Sequence, residues 1–181
     1  IYGLQKIEKD ILKNKFDFNE KYEDIHINIE KKLFEIIGEE AGYIHTARSR
    51  NDQVLVDFKI WIKNANREIN SNLDKIINSI LKLAEANIMT IMPGFTHMKN
   101  AQPTSFAHYL MAYVEMFSRD KKRLEFNLEN LNENPLGVVA LTGTSFNIDR
   151  NYTTKKLGFK KPTNNSIDTV ADRDFVLDFL Y

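Results

Sequence analysis

The placement of helix breakers constrains this chain more than any other feature. Glycine falls only at positions 3, 38, 42, 94, 137, 143 and 158, and proline only at 93, 103, 135 and 162. Nothing interrupts the chain between Gly42 and Pro93, or between Pro103 and Pro135. Because Gly and Pro end helices, two long helices are implied. The first is expected from about 51 to 91. Ser49-Arg50-Asn51-Asp52 reads as a capping box, with Ser49 at the N-cap and Asp52 at the third helical position. Apolar residues then recur in steps of three or four at Phe58, Ile62, Ala65, Ile69, Leu73, Ile76, Ile80 and Leu83. A second stripe, Ile77, Leu81, Ala84 and Ile88, lies beside it. A helix of about 40 residues is about 60 Å long. A compact domain of 181 residues has a radius of gyration of only about 16 Å. Such a helix projects from a small globule, and its stripe calls for helices from other copies of the chain.

The second long helix is expected over 104–131, with the stripe Phe106, Leu110, Tyr113, Phe117, Leu124 and Leu128. The short connection makes the two helices antiparallel neighbours. Upstream, 1–15 and 22–37 read as shorter helices and 38–47 as a loop. Downstream, 134–146 reads as a loop, and 149–157 and 167–181 as helices. No segment carries a strand pattern, so the fold class is all-α, built on long antiparallel helices.

The chain has 25 basic and 25 acidic side chains and a formal net charge of zero, which gives neither nucleic acid nor an anionic membrane surface anything to attract it. Its 43% hydrophobic content against 28% charged is that of a folded globular chain rather than a disordered one. No apolar run reaches the roughly 18 residues of a membrane helix. The absence of cysteine excludes disulfides, thiolate metal sites and a cysteine nucleophile, and suits a reducing cytoplasm, the expected location. The chain opens on Ile1 and still reads as helical at Tyr181, so it is expected to be the middle of a longer protein.

Four segments could carry chemistry. His45-Thr46-Ala47-Arg48-Ser49-Arg50-Asn51-Asp52-Gln53 joins two cations and two amides to the start of the longest helix, where free N–H groups and the dipole favour an anion. Seven arginines against 18 lysines make Arg48 and Arg50, two residues apart, conspicuous there. Arginine can grip a carboxylate through two parallel hydrogen bonds. The segment 92–103 holds Thr96 and His97 on the connection between the long helices, and histidine moves protons near neutral pH. Against this, a lone histidine on a connection is most often incidental. The loop 134–146 contains Gly137 and Gly143, which suit either a ligand or a buried turn. Asp172-Arg173-Asp174 reads as a surface or interface ion pair in the last helix. His26 and His108 read as packing residues within helices. The four histidines lack zinc-ligand spacing, so no metal is expected, and no glycine-rich phosphate loop or nucleophile elbow is present.

Taken together, the blocks resemble the argininosuccinate lyase family of the fumarase/aspartase superfamily. The resemblance rests on the order and spacing of Glu23-Asp24-Ile25-His26, HTARSRNDQV at 45–54, MPGFTH at 92–97, AQP at 101–103, YVEM at 113–116, NPLG at 134–137, GTSF-x-IDR at 143–150 and DRDFVLDFL at 172–180. It covers nearly the whole chain after about residue 20, and the Ser-Arg-Asn-Asp-Gln block is the specific part.

The resemblance implies a helical bundle assembled as a homotetramer. It also implies cleavage of argininosuccinate to arginine and fumarate by β-elimination, with no cofactor. It makes 1–47 the end of an N-terminal helical domain and 48–181 the first part of the central long-helix domain. By match to the family motif, Asn51 and Thr96 bind substrate and His97 is a catalytic acid or base. Arg50 and Ser49 can serve the succinate part and Asp24 the cationic end. The family's usual hydrophobic-Gln-basic after Thr-His is Met98-Lys99-Asn100 here, and Asn147 stands where proline is usual. The family's serine-bearing signature loop is not among these residues, and each active site of the family combines segments from three subunits. The chain alone is therefore expected to be inactive. Competing readings are an assembly protein of the same fold without catalysis, and another superfamily lyase such as adenylosuccinate lyase.

Overall fold

The breaker-free stretch after Gly42 folds into a single helix, α3 (Arg50–Glu85, 36 residues), in the computed structural model, which describes residues 1–181. Its start is the capping box read from the sequence: Ser49 Oγ accepts from the first turn and Asp52 Oδ1 accepts from Ser49 N at 2.9 Å. The helix stops short of 91. Asn87 is the cause: its Nδ2 donates back to the Leu83 carbonyl at 2.8 Å and its backbone N–H bonds only three residues back, to Ala84. The carbonyls of the last turn are satisfied locally, and the helix need not continue.

The segment between the long helices is not the plain turn expected. It is an antiparallel hairpin of β1 (Ile91–Thr96) and β2 (Lys99–Ser105). Pro93 faces Pro103, a pairing that tolerates two residues without an N–H, and a bulge follows at Gly94. A Cβ at Gly94 would lie 2.5 Å from the Gln102 carbonyl oxygen, so the strands close only around glycine. The chain reverses between the paired Thr96 and Lys99 through His97 (φ 50°) and Met98 (φ 60°). Positive φ at both central residues is the signature of a type I′ turn.

Helix α4 (Phe106–Asn130) then runs back along α3, capped by Ser105 Oγ, which accepts from His108 N at 3.1 Å. Beyond it come a minimal parallel pair, β3 (Glu133–Asn134) and β4 (Lys161–Pro162), and three short helices, α5 (Arg150–Leu157), α6 (Ser166–Ala171) and α7 (Asp174–Leu180). The last two were expected as one helix. They are separated where Asp172 Oδ1 accepts from Asp174 N at 2.9 Å, a local side-chain turn that competes with the helix. The core of this part is Leu55, Ile62, Leu131 and Phe175, with Phe58, Leu128, Val176 and Phe179 packed on it.

The chain divides into two compact units, Ile1–Arg48 and Ser49–Tyr181. The smaller contains α1 (Tyr2–Leu12), α2 (Ile25–Ile37) and a 3-10 turn over Gly38–His45, around Ile7, Leu33 and Ala41. Its second helix begins three residues later than expected because Asp24 is its N-cap. The fold is predominantly α-helical, and no helix is long and apolar enough to cross a membrane.

Candidate functional site

At the start of α3 the chain presents Ser49, Arg50 and Asn51 in succession. Asn51 is exposed and Arg50 half-buried, its Nη1 donating to Gln53 Oε1 at 2.8 Å. The helix terminus is less open to an anion than its sequence suggests. The N–H groups of Ser49, Asn51 and Asp52 are consumed by the capping box, and that of Gln53 bonds the Ser49 carbonyl. An anion arriving here meets the side chains of Arg50 and Asn51 and the Ser49 hydroxyl. That hydroxyl accepts from the backbone and keeps its own proton to donate. Arg48, the other conspicuous arginine, points elsewhere: its guanidinium donates to Glu30, which also bonds His45 Nδ1 at 3.2 Å, within the smaller unit.

Directly behind this face lies Asp52, 0% exposed. Its Oδ2 accepts from Gly137 N and Val139 N, both at 3.0 Å. Gly137 (φ 90°) and Val139 (φ 60°) bend the loop so that both N–H groups converge on one oxygen. The same loop is held from its other side by Arg150. Its Nε donates to the Leu136 carbonyl at 2.9 Å, Nη1 to the Thr163 carbonyl at 3.0 Å, and Nη2 to Thr163 Oγ1 at 2.9 Å and the Asn134 carbonyl at 3.2 Å. Burial lowers the Arg150 pKa and the Asp52 charge opposes that shift. The NPLG loop is therefore a structural latch on α3 in this chain. Beside it Thr142, Thr144, Asn147, Arg150, Asn164 and Ser166 line a cleft of about 360 Å³.

Thr96 and His97 are exposed at the hairpin tip, beyond the far end of α3. A 36-residue helix is about 54 Å long. Six strand residues reach about 20 Å. Even a hairpin doubled straight back would leave Thr96 and His97 tens of ångströms from Ser49–Asn51. One copy of this unit does not bring the two blocks together.

Asp24 acts as the cap of α2, its Oδ1 accepting from Ile27 N at 2.7 Å. Asp172 is no isolated surface pair: its Oδ2 lies 3.7 Å from the Nζ of Lys59, a buried lysine on α3. One turn on, buried Lys63 donates to the Gly158 carbonyl at 2.7 Å and Asn132 Oδ1 at 3.1 Å. Sequence reasoning passed over both lysines. The available signal was their four-residue spacing on the face that also carries Leu55 and Ile62.

A lyase family's sequence profile matches residues 1–181. The chain belongs to this lyase family. Its relatives include argininosuccinate lyases. The chain is 78% identical over 181 residues to that of Pelagibacter ubique and 55% over 179 residues to that of Chelativorans sp., covering 100% and 99% of this chain. It spans 39% and 38% of those relatives' own lengths. Among solved lyase structures, EDDS lyase in complex with formate superposes with a TM-score of 0.85 at 26% identity, over 97% of this chain and 34% of that one. A fumarate lyase:delta crystallin from Brucella melitensis gives 0.70 at 20% identity, over 84% of this chain and 36% of that one, and bears on the fold alone.

Proposed function

We propose that the whole protein carrying this chain is an argininosuccinate lyase, releasing arginine and fumarate by β-elimination. The observation that carries the reading is 78% identity over the full chain to a protein of that name. A base removes a proton from the carbon beside a carboxylate, negative charge builds on that carboxylate, and the C–N bond to the guanidino nitrogen breaks. The charge needs fixed donors. Arg50, Asn51 and the Ser49 hydroxyl form a donor set for the succinate carboxylates. Thr96 binds substrate beside His97, which serves as acid or base. Asp24 faces the cationic end.

The separation of Ser49–Asn51 from Thr96–His97 along α3 supports an active site shared between copies of the chain, in a homotetramer. Residues 1–47 are then the end of an N-terminal helical domain and 48–181 the first part of the central bundle. The protein works in the cytoplasm, and the 181-residue chain by itself is inactive.

The test follows fumarate absorbance when the complete protein and its His97→Asn variant meet argininosuccinate. Turnover by the wild type and a loss of at least about 100-fold in the variant are expected for a general acid or base. No turnover by the complete wild-type protein overturns the enzyme reading. A fully active His97→Asn variant overturns the role of His97.

A further inference from the structure

The latch behind the Ser49–Asn51 face has a consequence for the site itself. Asp52 is the last residue of the capping box, so its carboxylate is tied to the backbone that carries Arg50 and Asn51. Its Oδ1 accepts from Ser49 N at 2.9 Å, and its Oδ2 from Gly137 N and Val139 N at 3.0 Å, 85 and 87 residues away. Arg150 grips the same loop through the carbonyls of Asn134 and Leu136 and ties it to the Thr163 carbonyl, just past β4. The two oxygens of one buried carboxylate thus join the start of α3 to a loop that is itself clamped. The geometry points to Asp52 as a positioning residue: it holds Arg50 and Asn51 in register for the substrate carboxylate by anchoring their backbone to the 134–139 loop, with Arg150 as the second member of the device. This rests on the proposed function for the identity of the substrate, but the anchoring itself does not.

An amide in place of the carboxylate separates the two halves. Asn at position 52 has one acceptor oxygen, so it can serve the Ser49 N–H or the two loop N–H groups but not both, and its NH2 then faces a donor. In the complete protein, Asp52→Asn is expected to lower kcat/KM for argininosuccinate at least tenfold, with kcat falling more than KM rises, because the displaced donors no longer meet the charge that builds on the carboxylate. Helix content and assembly should stay as in the wild type, because Arg50 and Asn51 remain present but displaced. Amide exchange across 49–53 should quicken. Arg150→Lys keeps the charge and the α3 cap but loses the planar fork. It is expected to lower kcat/KM in the same direction, and the double variant to show less than the product of the two effects.

A folded Asp52→Asn variant with wild-type kcat/KM, or effects that multiply fully, overturns the proposal. If Asp52→Asn does not fold, Arg150→Lys decides: lowered kcat/KM supports the device and unchanged kcat/KM overturns it. If the wild-type protein does not turn over argininosuccinate, the functional reading fails instead, and exchange across 49–53 decides the anchoring alone. Faster exchange in the variants supports it, and unchanged exchange overturns it.

Discussion

His97 and Met98 carry left-handed backbone with no glycine at either position. For a residue with a Cβ this costs roughly 1–2 kcal/mol, less for histidine than for methionine. The Met98 side chain is 98% exposed, so it recovers nothing by packing in the isolated chain. Met98→Gly is therefore expected to stabilise the chain by about 1 kcal/mol, read as a higher urea midpoint. A lower midpoint would show that the turn is not strained. Two buried cations give a second residue-level prediction. Burial lowers the pKa of Lys63 below its ordinary 10.5 and the nearby Arg67 charge adds to the effect. Burial also lowers Lys59, with Asp172 and Glu133 opposing. Between the folded and unfolded values the unfolded chain binds more protons, so stability contributed by these groups rises with pH and is lowest below that window. The stability of wild type relative to Lys63→Met should therefore increase as the pH rises towards 10.5. A flat or falling difference in chemical denaturation would contradict it.

At the scale of elements, α3 and α4 meet through an apolar seam pinned by two buried amides. Asn66 Nδ2 donates to the Leu124 carbonyl at 2.9 Å and to Asn127 Oδ1 at 3.2 Å, and Asn127 Nδ2 donates to the Phe175 carbonyl at 2.8 Å. Hydrophobic stripes alone tolerate sliding by one turn, whereas this ladder has one register, and it ties α7 to the same point. Asn66→Ala leaves the Leu124 carbonyl and the Asn127 oxygen without that donor, and should cost about 2 kcal/mol by urea unfolding. An unchanged midpoint would mean that the apolar seam alone sets the register. Lys63 acts at the same scale. Its ammonium on the Gly158 carbonyl caps the C-terminal end of α5, where a cation is favoured by the helix dipole.

For the whole molecule the decisive fact is the apolar surface that α3 leaves uncovered. Ile69, Ile76 and Leu83 belong to the stripe read from sequence, yet they remain 42%, 44% and 47% exposed despite the packing of α4. Trp61, earlier on the helix, and Ile88, just beyond its end, are exposed as well. A surface of this kind supports the proposed self-association. Burying one isoleucine contributes about 1.5–3 kcal/mol. Ile76→Lys should thus shift assembly of the complete protein to at least about tenfold higher concentration in sedimentation. Assembly unaffected by the charge would place the interface elsewhere.

The capping box at Ser49, the two long helices and their stripes were legible without a structure, because each is a signal carried within three or four residues. The blocks around Asn51 and His97 were legible for the same reason, as short motifs in a fixed order. The hairpin was not, since Pro93 and Pro103 argue locally against strands and only their mutual pairing makes them compatible. The break at Asp172 was hidden because a side-chain turn and a continuing helix share the same composition. Lys59 and Lys63 looked like solvated charges until packing buried them. Asp52 shows the division most clearly. Its place in the capping box follows from the neighbouring residues, whereas its second oxygen bonds a loop 85 residues away. No local pattern carries that bond, which exists only because the tertiary fold brings Gly137 and Val139 to the start of α3.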